Sequence, residues 1–160
     1  MTLFDTHCHI DETNFDEDRE QVLLRMREAG VTRYAVIGTD VETSRRAVAF
    51  AQSHEGACCA VGFHPHEASR MDDAALDAIR QLTKEDRVQA IGEIGLDYYY
   101  DLSPRDVQQA AVQRQLDLAW ELDMPAAFHI RDAHQDMLDI LKARKDRLTG
   151  GIIHCFSGSW

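Results

Sequence analysis

Ile91-Gly92-Glu93-Ile94-Gly95-Leu96-Asp97, preceded by the apolar Val88 and Ala90, reads as a buried β-strand that delivers a carboxylate. An unpaired carboxylate in such a run is costly, so Glu93 needs a partner: either metal cations or the salt bridge of an Arg or Lys. Similar strings lie on both sides of it. Leu3-Phe4-Asp5-Thr6 leads into His7-Cys8-His9, Ala126-Ala127-Phe128 into His129, and Ile152-Ile153 into His154. In each string a polar residue follows an apolar β-type run, an arrangement that brings metal-binding side chains from separate segments to one point.

The whole chain alternates in this way. Strand-like runs fall at 3–8, 33–38, 58–63, 88–93, 126–129 and 152–155, with helical patterns at 16–29, 42–53, 72–82, 103–122 and 133–143. In the first helix Val22, Leu23, Met26 and Ala29 recur at helical spacing, acidic residues crowd the start and Gly30 suits the end. The fourth opens on Ser103 as cap and Pro104 in the first turn, carries Leu116, Ala119 and Trp120 on one side, and ends before Asp123-Met124-Pro125. Near-continuous apolar strands alternating with helices indicate an α/β protein with a parallel sheet. An open doubly wound sheet and a (β/α)8 TIM-type barrel both fit. No Gly-x-Gly-x-x-Gly turn follows the first strand, and polar residues close at least four strands at their C-terminal ends, which favours the barrel. Complete barrels usually need about 250 residues. With 160 residues and six strands, the chain is expected to form a single partial barrel domain, 1–160, truncated after the sixth strand.

Bulk properties narrow the function. A net charge of −11 argues against broad, nonspecific attraction to phosphate, but bound divalent cations reverse the local field, so a nucleic acid substrate stays open. No run reaches the roughly 18 apolar residues of a membrane span, and Met1-Thr2-Leu3-Phe4-Asp5 has no secretory signal character, so no membrane association and a cytoplasmic location are expected. Cys8, Cys58, Cys59 and Cys155 form no Cys-x-x-Cys pair, and three lie in apolar runs, which predicts buried, reduced thiols.

Alternation along a strand puts His7 and His9 on one face, about 6.6 Å apart, and turns Cys8 to the other. The two oxygens of Glu93 can span two cations roughly 3.5–4 Å apart. A lone histidine at position 129 or 154 is more often a hydrogen-bonded core residue. Together, however, four histidines and one glutamate at strand ends make the nitrogen and oxygen set that suits zinc, manganese or similar ions. A metal-dependent hydrolase is the first functional expectation. His64 and His66, in Gly62-Phe63-His64-Pro65-His66, fall in the loop after the third strand: His64 suits a phosphate or substrate contact, while His66 is equally well a solvated loop residue. Arg131 either holds an anionic group or pairs with Asp132 or another acid. Asp97 and Tyr98 either support the ligands or face substrate, and His54 and His134 read as surface residues.

Phe4-Asp5-Thr6-His7-Cys8-His9, Gly62-Phe63-His64-Pro65-His66, Gly92-Glu93-Ile94-Gly95-Leu96-Asp97-Tyr98, His129-Ile130-Arg131-Asp132-Ala133 and His154-Cys155-Phe156-Ser157-Gly158 run in order along the chain. Together they resemble the TatD family of metal-dependent deoxyribonucleases, within the amidohydrolase-like barrels. The resemblance implies a TIM-type barrel that cuts DNA phosphodiesters with two divalent cations, zinc, manganese or magnesium, and acts as a monomer when complete. By motif match, His7 and His9 hold one ion, Glu93 bridges both, and His129 and His154 hold the other. His64 corresponds to a substrate-phosphate contact, which makes Glu93 and His64 the expected catalytic groups; Arg131 joins His64 as an expected substrate-binding residue. Two departures matter: nothing here matches the further metal-ligating aspartate that relatives carry in a Glu-Thr-Asp stretch, and Val112 stands where relatives often have an aromatic residue, a change expected to alter only helix packing. Two other readings follow. The same site can act on an amide, lactone or aminoacyl ester such as aminoacyl-tRNA, or the chain is an inactive fragment of such an enzyme.

Overall fold

In the computed structural model, which describes residues 1–159, six strands alternate with five helices. They are β1 (Leu3–Cys8), α1 (Arg19–Glu28), β2 (Val31–Ile37), α2 (Val41–Ser53), β3 (Ala57–Val61), α3 (Asp73–Leu82), β4 (Val88–Asp97), α4 (Arg105–Glu121), β5 (Ala126–Arg131), α5 (His134–Ala143) and β6 (Gly151–Ile153). Every neighbouring pair is parallel and the order is β1-β2-β3-β4-β5-β6. A doubly wound sheet reverses its strand order at a switch point, whereas a barrel never does. Strictly sequential order with crossovers of one hand puts all helices on one face, so this sheet is a barrel wall of five β/α units and a sixth parallel strand.

The two faces of the wall can be read from burial. Tyr34, Val36, Cys59, Val61, Ile91, Ile94, Leu96, Ala126 and Phe128 join the helices in the main core. Ile91, Ile94 and Leu96 are fully buried, each contributing roughly 1.5–3 kcal/mol relative to exposure. On the opposite face the small residues Ala60 and Ala127 pack with Ile37, flanked by Ala35 and Ala90. Cys8 packs against the main core, as alternation predicts, so His7 and His9 lie on the inner face.

Two buried glutamines on α4 tie helix to sheet. Gln108 accepts from the Asp97 N–H (2.8 Å) and donates to the Asp97 carbonyl (3.1 Å). One heptad on, Gln115 accepts from the Phe63 N–H (2.7 Å) and donates to the Phe63 carbonyl (3.0 Å). The ends of β3 and β4 therefore have their backbone groups satisfied by one helix face, which fixes the loops that follow. At α2, Asp40 and Thr43 form a reciprocal capping box.

Several sequence expectations are corrected. β4 and β5 run on to Asp97 and Arg131, so Glu93 and His129 lie inside strands, and β6 stops at Ile153, leaving His154 just beyond it. Ser103 is not the cap of α4: Pro104 holds that position, and the Ser103 hydroxyl instead accepts from the Ser69 N–H and donates to the His66 carbonyl. Residues 16–18 precede α1, because Thr13–Phe15 forms a separate turn whose approach Arg19 holds by donating to the carbonyls of Ile10 (2.8 Å) and Glu12 (2.7 Å). Trp120 is exposed, with Arg147 lying over its ring. No described helix is long and apolar enough to cross a membrane.

Cys155 is also corrected: it is exposed, while burial pushes the thiols of Cys8 and Cys59 up to about 12. Only a thiolate reacts readily. In a mildly alkaline, native-state alkylation followed by mass spectrometry, Cys155 is expected to be modified first and Cys8 and Cys59 only on unfolding; early labelling of Cys59 contradicts this packing.

Candidate metal centre

Glu93 reaches the inner face because β4 breaks its own alternation. Between the pairs Ile91↔Ala126 and Ile94↔Phe128, β4 advances three residues while β5 advances two. Ile91 and Ile94 both face the main core, so the extra residue of this bulge leaves Gly92 and Glu93 together on the inner side. Gly92 is required there, since a side chain would strike Ala127. Gly95, with φ +147°, lies so close to the His129 carbonyl that no Cβ fits.

Around this carboxylate, 3% exposed, imidazoles converge from four segments. Glu93 Oε2 lies 3.4 Å from His7 Nε2, and Oε1 lies 3.0 Å from His129 Nδ1, 2.6 Å from His154 Nε2 and 4.0 Å from His64 Nε2. His7 and His154 stack, with ring centroids 3.8 Å apart. No Arg or Lys approaches Glu93 among the described residues, so the salt-bridge alternative falls away. Burial alone raises the Glu93 carboxyl, but hydrogen bonds from His129, His154 and His7 outweigh it and hold the group far below the usual carboxylate range.

Three of the imidazoles are oriented by further hydrogen bonds. His9 Nδ1 donates to the Ile37 carbonyl (3.1 Å), which leaves Nε2 as a lone-pair donor. His64 Nδ1 accepts from the His66 N–H (3.1 Å), so Nε2 carries the proton and faces Glu93. Burial drives the His64 pKa down to about 3, although Glu93 opposes this. At neutral pH His64 is an uncharged hydrogen-bond donor. His129 lies between two carboxylates, Glu93 on Nδ1 and Asp97 on Nε2 (3.0 Å); burial lowers its pKa, and the two carboxylates outweigh that and raise it.

Asp97 is the residue whose role the sequence left open. It is fully buried, and its Oδ2 accepts from His66 Nε2 (2.9 Å) and His129 Nε2. Its Oδ1 accepts from the N–H groups of Tyr99 (3.0 Å) and Tyr100 (2.9 Å). His66 is therefore part of the cluster and not a solvated loop residue. The signal that could have found both is a second carboxylate four residues after Glu93 on the same run. Arg131 is exposed at the end of β5 and makes no ion pair among the described residues, with Asp132 or any other acid; its guanidinium lies over the rings of Tyr99 and Tyr100. His134 begins α5 near Phe156, and His54 stacks on Phe50, both away from the cluster.

Two groups of donors offer ligand atoms within 4.8 Å of one another: His7, His9 and Glu93, and His64, Glu93 and His129. Glu93 belongs to both. Borderline nitrogen donors around a shared, ionised carboxylate fit a divalent cation. His154 lies outside both groups but touches Glu93 directly.

The sequence that builds this site is matched by a family profile. The model described as TatD related DNase matches residues 4–160. The chain belongs to the TatD family. It is 40% identical over 157 residues to an uncharacterized metal-dependent hydrolase, YabD of Bacillus subtilis, and 41% identical over 157 residues to the 3'-5' ssDNA/RNA exonuclease TatD of Cronobacter sakazakii. Both alignments cover 98% of this chain, and they cover 62% and 60% of those proteins. The crystal structure of YjjV, a TatD homologue from Escherichia coli K12, superimposes with a TM-score of 0.91 at 36% identity, over 98% of this chain and 61% of that one. The chain thus spans about three fifths of the length of the TatD proteins it matches.

Proposed function

We propose that this chain carries the metal and phosphate sites of a TatD-type nuclease that hydrolyses phosphodiester bonds in single-stranded DNA with two divalent cations. The observation that supports it most is Glu93: a buried carboxylate that belongs to both groups of possible ligands and meets imidazoles from four segments among the described residues. In this reading His7 and His9 would hold one cation and His129 and His154 the other, with Glu93 as the further ligand available to each. When bound, such cations neutralise charge on the phosphodiester and lower the pKa of water to near neutral.

The chain's own residues then act on the substrate. Neutral His64 donates from Nε2 to a phosphate oxygen, a bond that needs no change of protonation as the phosphate binds. Asp97 orients His66 and His129, so the donors keep their direction when water leaves. Arg131 adds a positive charge beside the site in a chain of net charge −11. The name of the Cronobacter relative, a 3'-5' ssDNA/RNA exonuclease, supports single strands as the substrate.

The test is to strip the protein with chelator, reload it with manganese or zinc, and assay an end-labelled single-stranded oligonucleotide beside carboxyl and aminoacyl esters. Two equivalents of bound cation by plasma mass spectrometry and stepwise shortening of the DNA are expected. Intact DNA together with rapid ester hydrolysis overturns the reading in favour of an amidohydrolase-type activity.

A further inference from the structure

Tyr99, Tyr100 and Arg131 form an exposed group beside the candidate metal centre, where the Tyr100 ring lies against that of His66. The two tyrosines are 59% and 53% exposed, with ring centroids 4.9 Å apart and planes at 86°, the edge of one ring toward the other. The Arg131 guanidinium lies 4.2 Å from the Tyr99 ring centre and 4.7 Å from that of Tyr100. Large aromatic side chains at this level of exposure contribute little to the core, and a guanidinium without a carboxylate partner contributes little to ion pairing.

The fold nevertheless holds all three in place. Asp97 Oδ1 takes both tyrosine N–H groups, and the Tyr98 N–H donates to the Arg131 carbonyl (2.9 Å), joining the ends of β4 and β5. Tyr98 itself is engaged elsewhere: its hydroxyl donates to Asp136 and Arg105 covers its ring. The same Asp97 grips His66 and His129, and the Tyr100 ring lies 5.5 Å from that of His66. One buried carboxylate thus sets the distance between the aromatic pair and the metal centre.

We propose that Tyr99, Tyr100 and Arg131 form a stacking platform for one nucleobase of single-stranded DNA, next to the phosphodiester held at the metal centre. This deepens the phosphodiesterase reading and rests on it. Every base has a π-face, so such a platform binds without sequence preference, and only an unstacked base exposes that face, which favours single strands over duplex. Arg131, whose guanidinium lies over both rings, brings its positive charge and N–H donors to the nucleotide's phosphate.

The experiment measures binding to the full chain in chelator, so that no cleavage occurs, by fluorescence anisotropy of a short end-labelled oligonucleotide. A matched probe lacks the base of its terminal nucleotide. The complete probe is expected to bind about tenfold more tightly than the abasic one. Tyr99→Ala and Tyr100→Ala are expected to reduce that difference, and Tyr100→Trp to preserve it. Because these side chains are exposed, circular dichroism of the variants should match the parent protein. Equal binding of the two probes, no binding of either, or alanine variants that keep the full difference would each overturn the platform. Hydrolysis of bis(p-nitrophenyl) phosphate by the metal-loaded parent reports separately on the phosphodiesterase reading, since that ester carries no base.

Discussion

Glu93→Gln is expected to abolish cation binding and to lower phosphodiester hydrolysis by more than the roughly 10–100-fold that losing an outer partner of a ligand costs. An amide keeps the shape of the side chain but cannot supply an ionised oxygen to two donor groups at once. The metal-free protein should report the same residue through its pH dependence. The folded-state pKa of Glu93 is depressed, so its stabilisation is fully present above the ordinary value of 4.5 and is lost as pH falls below it. His129 has the opposite sign: its pKa is raised, so its contribution is present below 6.5 and drains away as pH rises through the raised value. Thermal melts of chelated protein should therefore be most stable between those limits, and Glu93→Gln should flatten the acid side. An unchanged acid limb, or full cation stoichiometry in the variant, contradicts the assignment.

Asp97→Ala should be the most destabilising single change near the site, by about 3–5 kcal/mol, the cost of removing one partner from a buried charged pair. It strands the ring nitrogens of His66 and His129 and the N–H groups of Tyr99 and Tyr100 at once. For a chain of this size that corresponds to roughly 10 °C in melting temperature. Asp97→Asn should cost less, because one oxygen still accepts from the tyrosine backbone, yet its amide cannot anchor His129 as a carboxylate does. Melts of the two variants check this ranking, and an Asp97→Ala protein as stable as its parent would mean the network carries no net stability.

The residue types that gather around Glu93, and their segments, were legible in the sequence because charged and imidazole side chains at the ends of apolar β-runs have few inexpensive alternatives. His7, His9, His129 and His154 all reach, or approach, the Glu93 carboxylate. Gln108 and Gln115 were not legible. A buried glutamine one heptad from another looks like ordinary helix sequence until the strand ends it satisfies are known. His66 and Arg131 were left between two readings each, since a loop histidine and a strand-end arginine find their partners only through contacts distant in the chain.

The alternation of apolar runs and amphipathic helices was enough to specify a parallel α/β wall, since burying two faces of a strand and one face of a helix leaves few other solutions. It was also enough to place His7 and His9 on one side, by the period of the strand. The aim of Glu93 was not contained in that period. Its inward turn depends on a bulge against β5, and a bulge exists only once two strands are in register. The grip of Asp97 on two imidazoles and two backbone amides likewise depends on segments that meet through packing, which no local pattern encodes.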